Sequence, residues 1–319
     1  MPSILVTGGA GFIGSHVVEA LLKEGRDVVV LDNFDDFYLP EVKRRNLHPL
    51  VGRPGFALVE GDIRDAVQVE NVFAAHPINV VVHLAARAGV RPSIQQPALY
   101  CDVNLTGTAV LLEACRRHGI SKFIFGSSSS VYGNNAKLPF SEKDDVDRPI
   151  SPYAATKRAG ELLCAAYHEL YTLNVFALRL FTVYGPRQRP EMAIHKFTRL
   201  IDRGLPVPRF GDGSSRRDYT YITDIINGLM RAIERVQGFE IINLGGSQTT
   251  RLADLIDLLE KNLGQQAVIE EEPGQPGDVV ATYADVDKAR RLLEYEPQVT
   301  LEEGIGRFVE WYKGVKVQA

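Results

Sequence analysis

The sequence predicts an α/β protein: a doubly wound parallel sheet with a smaller C-terminal α/β lobe. Three observations predict it. Short β-rich runs alternate with helix-patterned stretches through the first half. Several of those runs are nearly all apolar, as strands covered on both faces are. A glycine-rich turn, Thr7-Gly8-Gly9-Ala10-Gly11-Phe12-Ile13-Gly14, joins the first run to the first helical pattern.

In chain order, S-I-L-V-T predicts a strand at Ser3–Thr7 and the stretch after the turn a helix over Phe12–Glu24. D-V-V-V-L at Asp27–Leu31 and F-A-L-V-E at Phe56–Glu60 are the next strands, followed by a helix at Asp65–Ala75. N-V-V-V-H at Asn79–His83 is a fourth strand, before a helix over Ala98–Arg117. Lys122–Gly126 and Asn174–Leu180 are strands five and six, flanking a long helix at Pro152–Leu173. After Phe181 the rhythm changes. Residues 182–218 are rich in Pro, Gly and Arg, with one helical stretch near Met192–Arg203. Tyr219–Tyr221 and a helix at Ile222–Val236 return to the first lobe. Helices at Arg251–Leu263, Val286–Glu294 and Leu301–Lys313 belong to the second. The expected division is 1–181 plus about 219–245 for the first lobe, and 182–218 plus about 246–319 for the second. Strand order is left open. Ligands of such sheets sit at the carboxyl ends of the strands, so a cleft between the lobes is the expected site.

Composition narrows the partners. The chain of 319 residues is 45% hydrophobic and 24% charged, with a net charge of -4. No basic character stands out to favour nucleic acid or an anionic membrane surface. No apolar run approaches the roughly 20 residues of a membrane span, and the N-terminus enters a strand without a leader pattern. Cys101, Cys115 and Cys164 are odd in number and far apart, as expected of reduced thiols in the cytoplasm. The seven histidines lack metal-ligand spacing, so no metal site is expected.

The glycine-rich turn has the strand–turn–helix context of a dinucleotide site. Gly8, Gly11 and Gly14 permit the tight turn, a close pyrophosphate and close helix packing. The helix N-terminus offers free N–H groups and the positive end of its dipole. Asp32 ends the second strand, eighteen residues beyond Gly14. A carboxylate there accepts from ribose hydroxyls and repels a 2′-phosphate, which favours NAD over NADP. Asp62, after the third strand, is placed to meet the adenine edge. Ala85 and Ala86, after the fourth, let a flat cofactor pass close to the backbone, or equally pack a helix start.

Tyr153-Ala154-Ala155-Thr156-Lys157 places a phenol and an ammonium on one helix face. A free tyrosine titrates near about 10, and a fixed positive charge lowers that value. The expectation is a pair that takes a proton from an alcohol near neutral pH.

Taken with H-L-A-A at His83–Ala86, S-S-S-S-V-Y-G at Ser127–Gly133 and R-R-D-Y at Arg216–Tyr219, these motifs resemble the extended short-chain dehydrogenase/reductase family. Its nucleotide-sugar epimerases are the most similar. The resemblance spans nearly the whole chain. It implies a Rossmann-type first lobe, tightly bound NAD, a sugar-nucleotide lobe and a homodimer. It makes Ser128, four residues before the tyrosine of V-Y-G, the third member of a triad with Tyr153 and Lys157. For the cofactor it implies Gly8, Gly11, Phe12, Ile13, Asp32, Asn33, Asp62 and Ile63. It adds Leu84, Ala86, Asn104, Tyr153, Lys157 and Phe181, with Ala85 beside them. Arg87 stands where relatives often carry lysine or glutamine near the pyrophosphate.

Resemblance also sorts the reaction. The 4,6-dehydratases carry Asp-Glu after the catalytic hydroxyl residue, and UDP-glucuronate decarboxylases a Glu; here Ser129 and Ser130 stand there. Epimerisation at sugar C4 remains. The stretch T-V-Y-G-P-R-Q-R-P-E-M from Thr182 to Met192 resembles UDP-glucuronate 4-epimerases, as does D-N-F with Lys43-Arg44. A uronate carboxylate needs donors, which Ser129, Ser130, Thr182 and Arg189 supply. Arg187 is expected at the substrate too, with an exposed basic loop, or contact with the UDP phosphates, as the other reading for both arginines. Arg217 is expected on the diphosphate and Asp278 near the uridine ribose, whereas Gln275 replaces a base found in many relatives. A UDP-glucose/UDP-galactose 4-epimerase is the alternative. The implied dimer pairs helices near Thr106–Arg117 and Tyr153–Tyr171, whose Leu111, Leu162 and Tyr167 equally fit an intrachain core.

Overall fold

Seven parallel strands form the central sheet of the computed structural model, which describes residues 2–273 and 279–317. In chain order these are β1 (Ser3–Thr7), β2 (Asp27–Asp32), β3 (Phe56–Glu60), β4 (Ile78–His83), β5 (Lys122–Ser128) and β6 (Asn174–Leu180), with Phe239–Leu244 as the last. Across the sheet the order is Phe239–Leu244, β6, β5, β4, β1, β2, β3. The winding reverses between β1 and β4, where Thr7 and His83 are register partners. A crevice opens at the carboxyl ends of strands at such a reversal.

The apolar runs supply the core on both faces. Ile4, Val6, Val28, Val30, Val80 and Val82 pack into one cluster. Their neighbours Leu5, Val29, Leu31 and Val81 pack into the other. Alternation along each strand sends successive side chains to opposite faces, so both must be covered by helices.

The first-half helices are α1 (Phe12–Lys23), α2 (Pro40–Leu47), α3 (Ala66–Ala75), α4 (Val90–Gln95), α5 (Pro97–Cys101), α6 (Gly107–Arg117) and α7 (Pro152–Tyr171). Two differences from expectation bear on the site. The expected helix over Ala98–Arg117 is interrupted by a π-turn at Asp102–Thr106, a local widening that single-sequence periodicity does not register. The strand Phe239–Leu244 lacks a clean apolar run, because Glu240 and Asn243 interrupt it.

Beyond β6 the chain builds smaller ladders. Thr182–Tyr184 pairs with Tyr219–Tyr221, Arg216–Arg217 with Thr250–Arg251, and Pro206–Phe210 with Val268–Glu272. Helices α8 (Ala193–Asp202), α9 (Ile222–Arg235), α10 (Leu252–Leu263), α11 (Asp287–Leu293) and α12 (Leu301–Val317) accompany them. Asp218 ties these segments together. Its buried carboxylate accepts from the N–H groups of Gly246, Ser247 and Ala284 and from the Thr220 hydroxyl. On the outer helices, Leu111 is core whereas Leu162 is 53% exposed. Among the described residues no helix is long and apolar enough to cross a membrane.

Candidate active site

The glycine-rich turn, the 84–86 segment and the start of α1 are in backbone contact. Gly8 has φ +69°, and a Cβ there would lie 2.7 Å from the Ala85 nitrogen. A Cβ on Gly14 would lie 2.2 Å from the Gly8 carbonyl oxygen. The N-cap of α1 is Gly11, and no side chain caps it. The first N–H groups of α1 therefore remain available to an anion.

Asp32, 7% exposed at the end of β2, has each oxygen held by a backbone N–H: Oδ2 by Ala10 and Oδ1 by Phe34, both at 2.9 Å. Burial raises its pKa, against those donors and the nearby charge of Lys43. Asn33 donates to Asp62 at 3.1 Å. Hydrogen bonds from Arg64 hold the Asp62 carboxyl down at about 2.

His83 is buried between two hydroxyls, Thr7 at Nδ1 (2.8 Å) and Thr108 at Nε2 (2.9 Å). The Thr108 hydroxyl donates to the Asn104 carbonyl at 2.6 Å. It therefore accepts from Nε2–H, which assigns the tautomer from the network. Burial, with the positive charge of Lys157, lowers the His83 pKa to about 3. In the π-turn, Asn104 accepts from the Arg87 N–H (2.8 Å) and donates to the Arg87 carbonyl and the Thr156 hydroxyl (both 3.0 Å).

Tyr153 is the second residue of α7, after Pro152, and the Ser151 hydroxyl caps that helix by accepting from the Ala154 N–H at 3.1 Å. Lys157 Nζ donates to the Gly126 carbonyl at 2.6 Å and sits 5.2 Å above the Phe125 ring. Burial lowers its pKa to about 8. Burial also raises the Tyr153 phenol, opposed by a hydrogen bond from Ser128 and the charge of Arg189. The expected lowering by Lys157 is thus not what the structure displays. Desolvation dominates, and the cation acting on the phenol is Arg189.

One cleft is lined by Gly8, Gly11, Phe12 and Ile13 with Asp32, Asn33, Asp62 and Ile63. Leu84, Ala85, Ala86, Arg87, Tyr153, Lys157 and Phe181 line it too, as do Ser128, Ser129, Ser130, Thr182, Arg189 and Met192. An adjoining pocket shares Ser129, Ser130 and Thr182 and is walled by Arg217. Two expected residues lie elsewhere. Asn104 is 3% exposed and braces the Arg87 backbone instead of lining the cleft. Arg187, in a left-handed conformation (φ 67°), is not part of that lining and reaches back to Glu19 on α1 at 2.8 Å. Asp278 and Gln275 fall outside the described residues.

Phe37 and Lys43 are among the lining residues that sequence reasoning missed. Phe37 lies between two guanidinium groups, Arg87 at 5.3 Å and Arg189 at 5.6 Å. Lys43 is 7% exposed, donates to the Asp35 carbonyl at 2.5 Å and lies over the Tyr38 ring. A lysine inside a charged helix start resembles surface until its burial is known. The Lys43-Arg44 pair was the only available signal.

The GDP-mannose 4,6 dehydratase family model matches residues 5–308. UDP-glucuronate 4-epimerase of Thermodesulfobacterium geofontis is 44% identical over 97% of this chain and 95% of its own length. The crystal structure of UDP-glucuronic acid 4-epimerase from Bacillus cereus with UDP-glucuronic acid and NAD has a TM-score of 0.93 and 39% identity, over 98% of this chain and 99% of that one. UDP-glucose 4-epimerase from Thermotoga maritima, solved with UDP-glucose, has a TM-score of 0.91 and 36% identity at the same coverage. Matching sequence from end to end and the same winding of the sheet place this chain in the GDP-mannose 4,6 dehydratase family of extended short-chain dehydrogenase/reductases.

Proposed function

We propose that this protein is an NAD-dependent UDP-sugar 4-epimerase that interconverts UDP-glucuronate and UDP-galacturonate. One observation carries the reading: Ser128, Tyr153 and Lys157 line the same cleft as the glycine-rich turn and Asp32. The residues present fit NAD. Gly8 and Gly14 leave no room for a Cβ, the α1 N-terminus is uncapped, and the Asp32 carboxylate faces the cleft. The N–H groups of Phe12 and Ile13 would hold the pyrophosphate, and Asp32 the adenosine ribose.

Bound NAD supplies a reversible acceptor for the hydrogen at sugar C4, with its electron pair. Tyr153 removes the proton of the C4 hydroxyl, and Ser128, which lines the cleft with it, stabilises the oxygen as a 4-keto group forms. Lys157, fixed by the Gly126 carbonyl, lines the same cleft, and Arg189 is the cation that acts on the phenol. Return of the hydrogen to the opposite face, with reprotonation by Tyr153, completes the inversion. Arg217 anchors the diphosphate while the sugar turns.

The choice of a uronate rests on Arg189, which lines the cleft, and on Ser129 and Ser130. A guanidinium and two hydroxyls suit a C6 carboxylate. The carboxyl groups that dehydration would need beside Ser128 are lacking there. The Bacillus relative, solved with UDP-glucuronic acid, supports this choice, and the Thermotoga relative keeps the neutral sugar as the second reading. Parallel assays on UDP-glucuronate and UDP-glucose test it: kcat/KM at least about tenfold higher on the uronate is expected, and equal or reversed values overturn it. The protein is further read as a cytoplasmic homodimer joined through α6 and α7, where Leu162, Leu170 and Tyr171 are exposed. Sedimentation as a concentration-independent monomer overturns that pairing.

A further inference from the structure

Behind the proposed proton-transfer group lies a buried charge cluster that the reaction does not touch. Tyr153, Lys157 and Glu161 follow at four-residue steps along α7. Glu161 is fully buried, and Arg179 on β6 is 1% exposed. Arg179 grips both carboxylate oxygens, Nε to Oε1 at 2.8 Å and Nη2 to Oε2 at 2.9 Å. Arg158 Nη1 adds a contact to Oε2 at 3.2 Å. The third partner is Ser127, whose hydroxyl donates to Oε1 at 2.7 Å. Ser127 and Arg179 are register partners on β5 and β6, so the carboxylate joins two strands and a helix.

Two successive residues at the end of β5 are thus held by two turns of α7, and the next, Ser128, lines the cleft with Tyr153. Lys157 takes the Gly126 carbonyl and Glu161 the Ser127 hydroxyl, while the Ser128 hydroxyl donates to Ser130 Oγ at 3.1 Å. Stability alone does not call for charge here, because an apolar contact of the same shape holds a helix to a sheet at least as well. We propose that Glu161, clamped by Arg179, is a positioning residue that sets Ser128 against Tyr153 through the Ser127 hydroxyl and sustains the charge of Lys157. The inference rests on the reading of Tyr153 as the base.

Ser127→Ala is the sharpest variant, because it leaves the Glu161–Arg179 pair in place. A displacement of about 1 Å at reacting groups costs up to about 10²-fold in rate. The expected result is a fall in kcat of about 10- to 100-fold, with KM for UDP-glucuronate, NAD retention and Tm close to the parent's. Glu161→Gln keeps the shape and removes the negative charge. The groups facing Lys157 are Glu161 and Cys164 from α7, His83 from β4, and the Gly126 carbonyl and Phe125 ring from β5, with Arg179 of β6 behind Glu161. Without the Glu161 charge, Lys157 loses its proton at lower pH, so the alkaline limb of the kcat profile moves down by about half a pH unit or more. A purely structural role would scale the profile without moving it. A fully active Ser127→Ala, or a Glu161→Gln profile that is only scaled, overturns the inference. Tyr153→Phe separates the two readings: if it is active the base assignment fails, and if it is dead beside a fully active Ser127→Ala only the positioning role fails.

Discussion

The cofactor side of the cleft and the substrate side are built differently. From β1 to α7, most of the lining residues sit at the end of a strand or the start of a helix. From Thr182 onward, the lining comes from short ladders and turns, and two arginines two residues apart take opposite directions. Arg189 enters the cleft, whereas Arg187 turns back to Glu19 on α1. Regular elements convert spacing into direction, because a helix repeats its face and a strand alternates. A turn does not: the positive φ at Arg187 redirects the chain within one residue.

Tyr153→Phe probes the cofactor side hardest. It removes the proposed base without changing the ring, so kcat falls by about 10³-fold or more, while NAD bound per chain stays at the parent's level. Retained turnover would remove the chemistry from this side. Gly14→Ala comes next. Its Cβ would meet the Gly8 carbonyl at 2.2 Å, so a loss of about 3 kcal/mol in unfolding free energy is expected, with weakened NAD retention. A neutral effect in denaturant titration would mean that the turn and α1 separate more easily than their contact implies.

The arginines sharpen the contrast on the other side. Arg189→Ala should lower kcat/KM on UDP-glucuronate by about 10²-fold, with only a severalfold loss on UDP-glucose. Arg187→Ala should leave KM within about twofold and lower stability by under about 1 kcal/mol, since its bond to Glu19 is partly exposed. If both lower kcat/KM alike, the two directions do not describe the working site.

A separate effect is expected on stability against pH. His83 titrates near 3 when folded and near about 6.5 when unfolded. Between those values the unfolded chain binds the extra proton, so stability falls as pH drops from about 6.5 toward 3. The slope is about 1.4 kcal/mol per pH unit, or about 2 kcal/mol between pH 6.5 and 5. His16, lowered to about 4, and His195, also lowered by burial, add to the total. His83→Asn should therefore reduce the measured slope by about one proton, and an unchanged slope would mean His83 charges inside the fold.

These contrasts follow what was legible in the sequence. Six of the seven sheet strands were readable because buried parallel strands are almost purely apolar. Asp32 and the glycines were readable because the turn they serve is contiguous. The seventh strand was hidden by Glu240 and Asn243, and the π-turn by having the composition of a helix. Phe37 was hidden because its surroundings depend on where Arg87 and Arg189, far along the chain, come to rest, and Lys43 because a lysine in a charged helix start resembles surface. The fall of the Tyr153 pKa expected from Lys157 was misjudged, because a spacing rule carries no desolvation.

The central claim is that the hydrogen at C4 leaves and returns within one active site, to the opposite face. UDP-glucuronate deuterated at C4, turned over by the NAD-loaded protein in ordinary water, tests it most directly by NMR of the product. The account predicts UDP-galacturonate carrying the deuterium at C4, with no free NADH and no CO₂. Loss of the deuterium to solvent, accumulation of NADH or release of a UDP-pentose would contradict it.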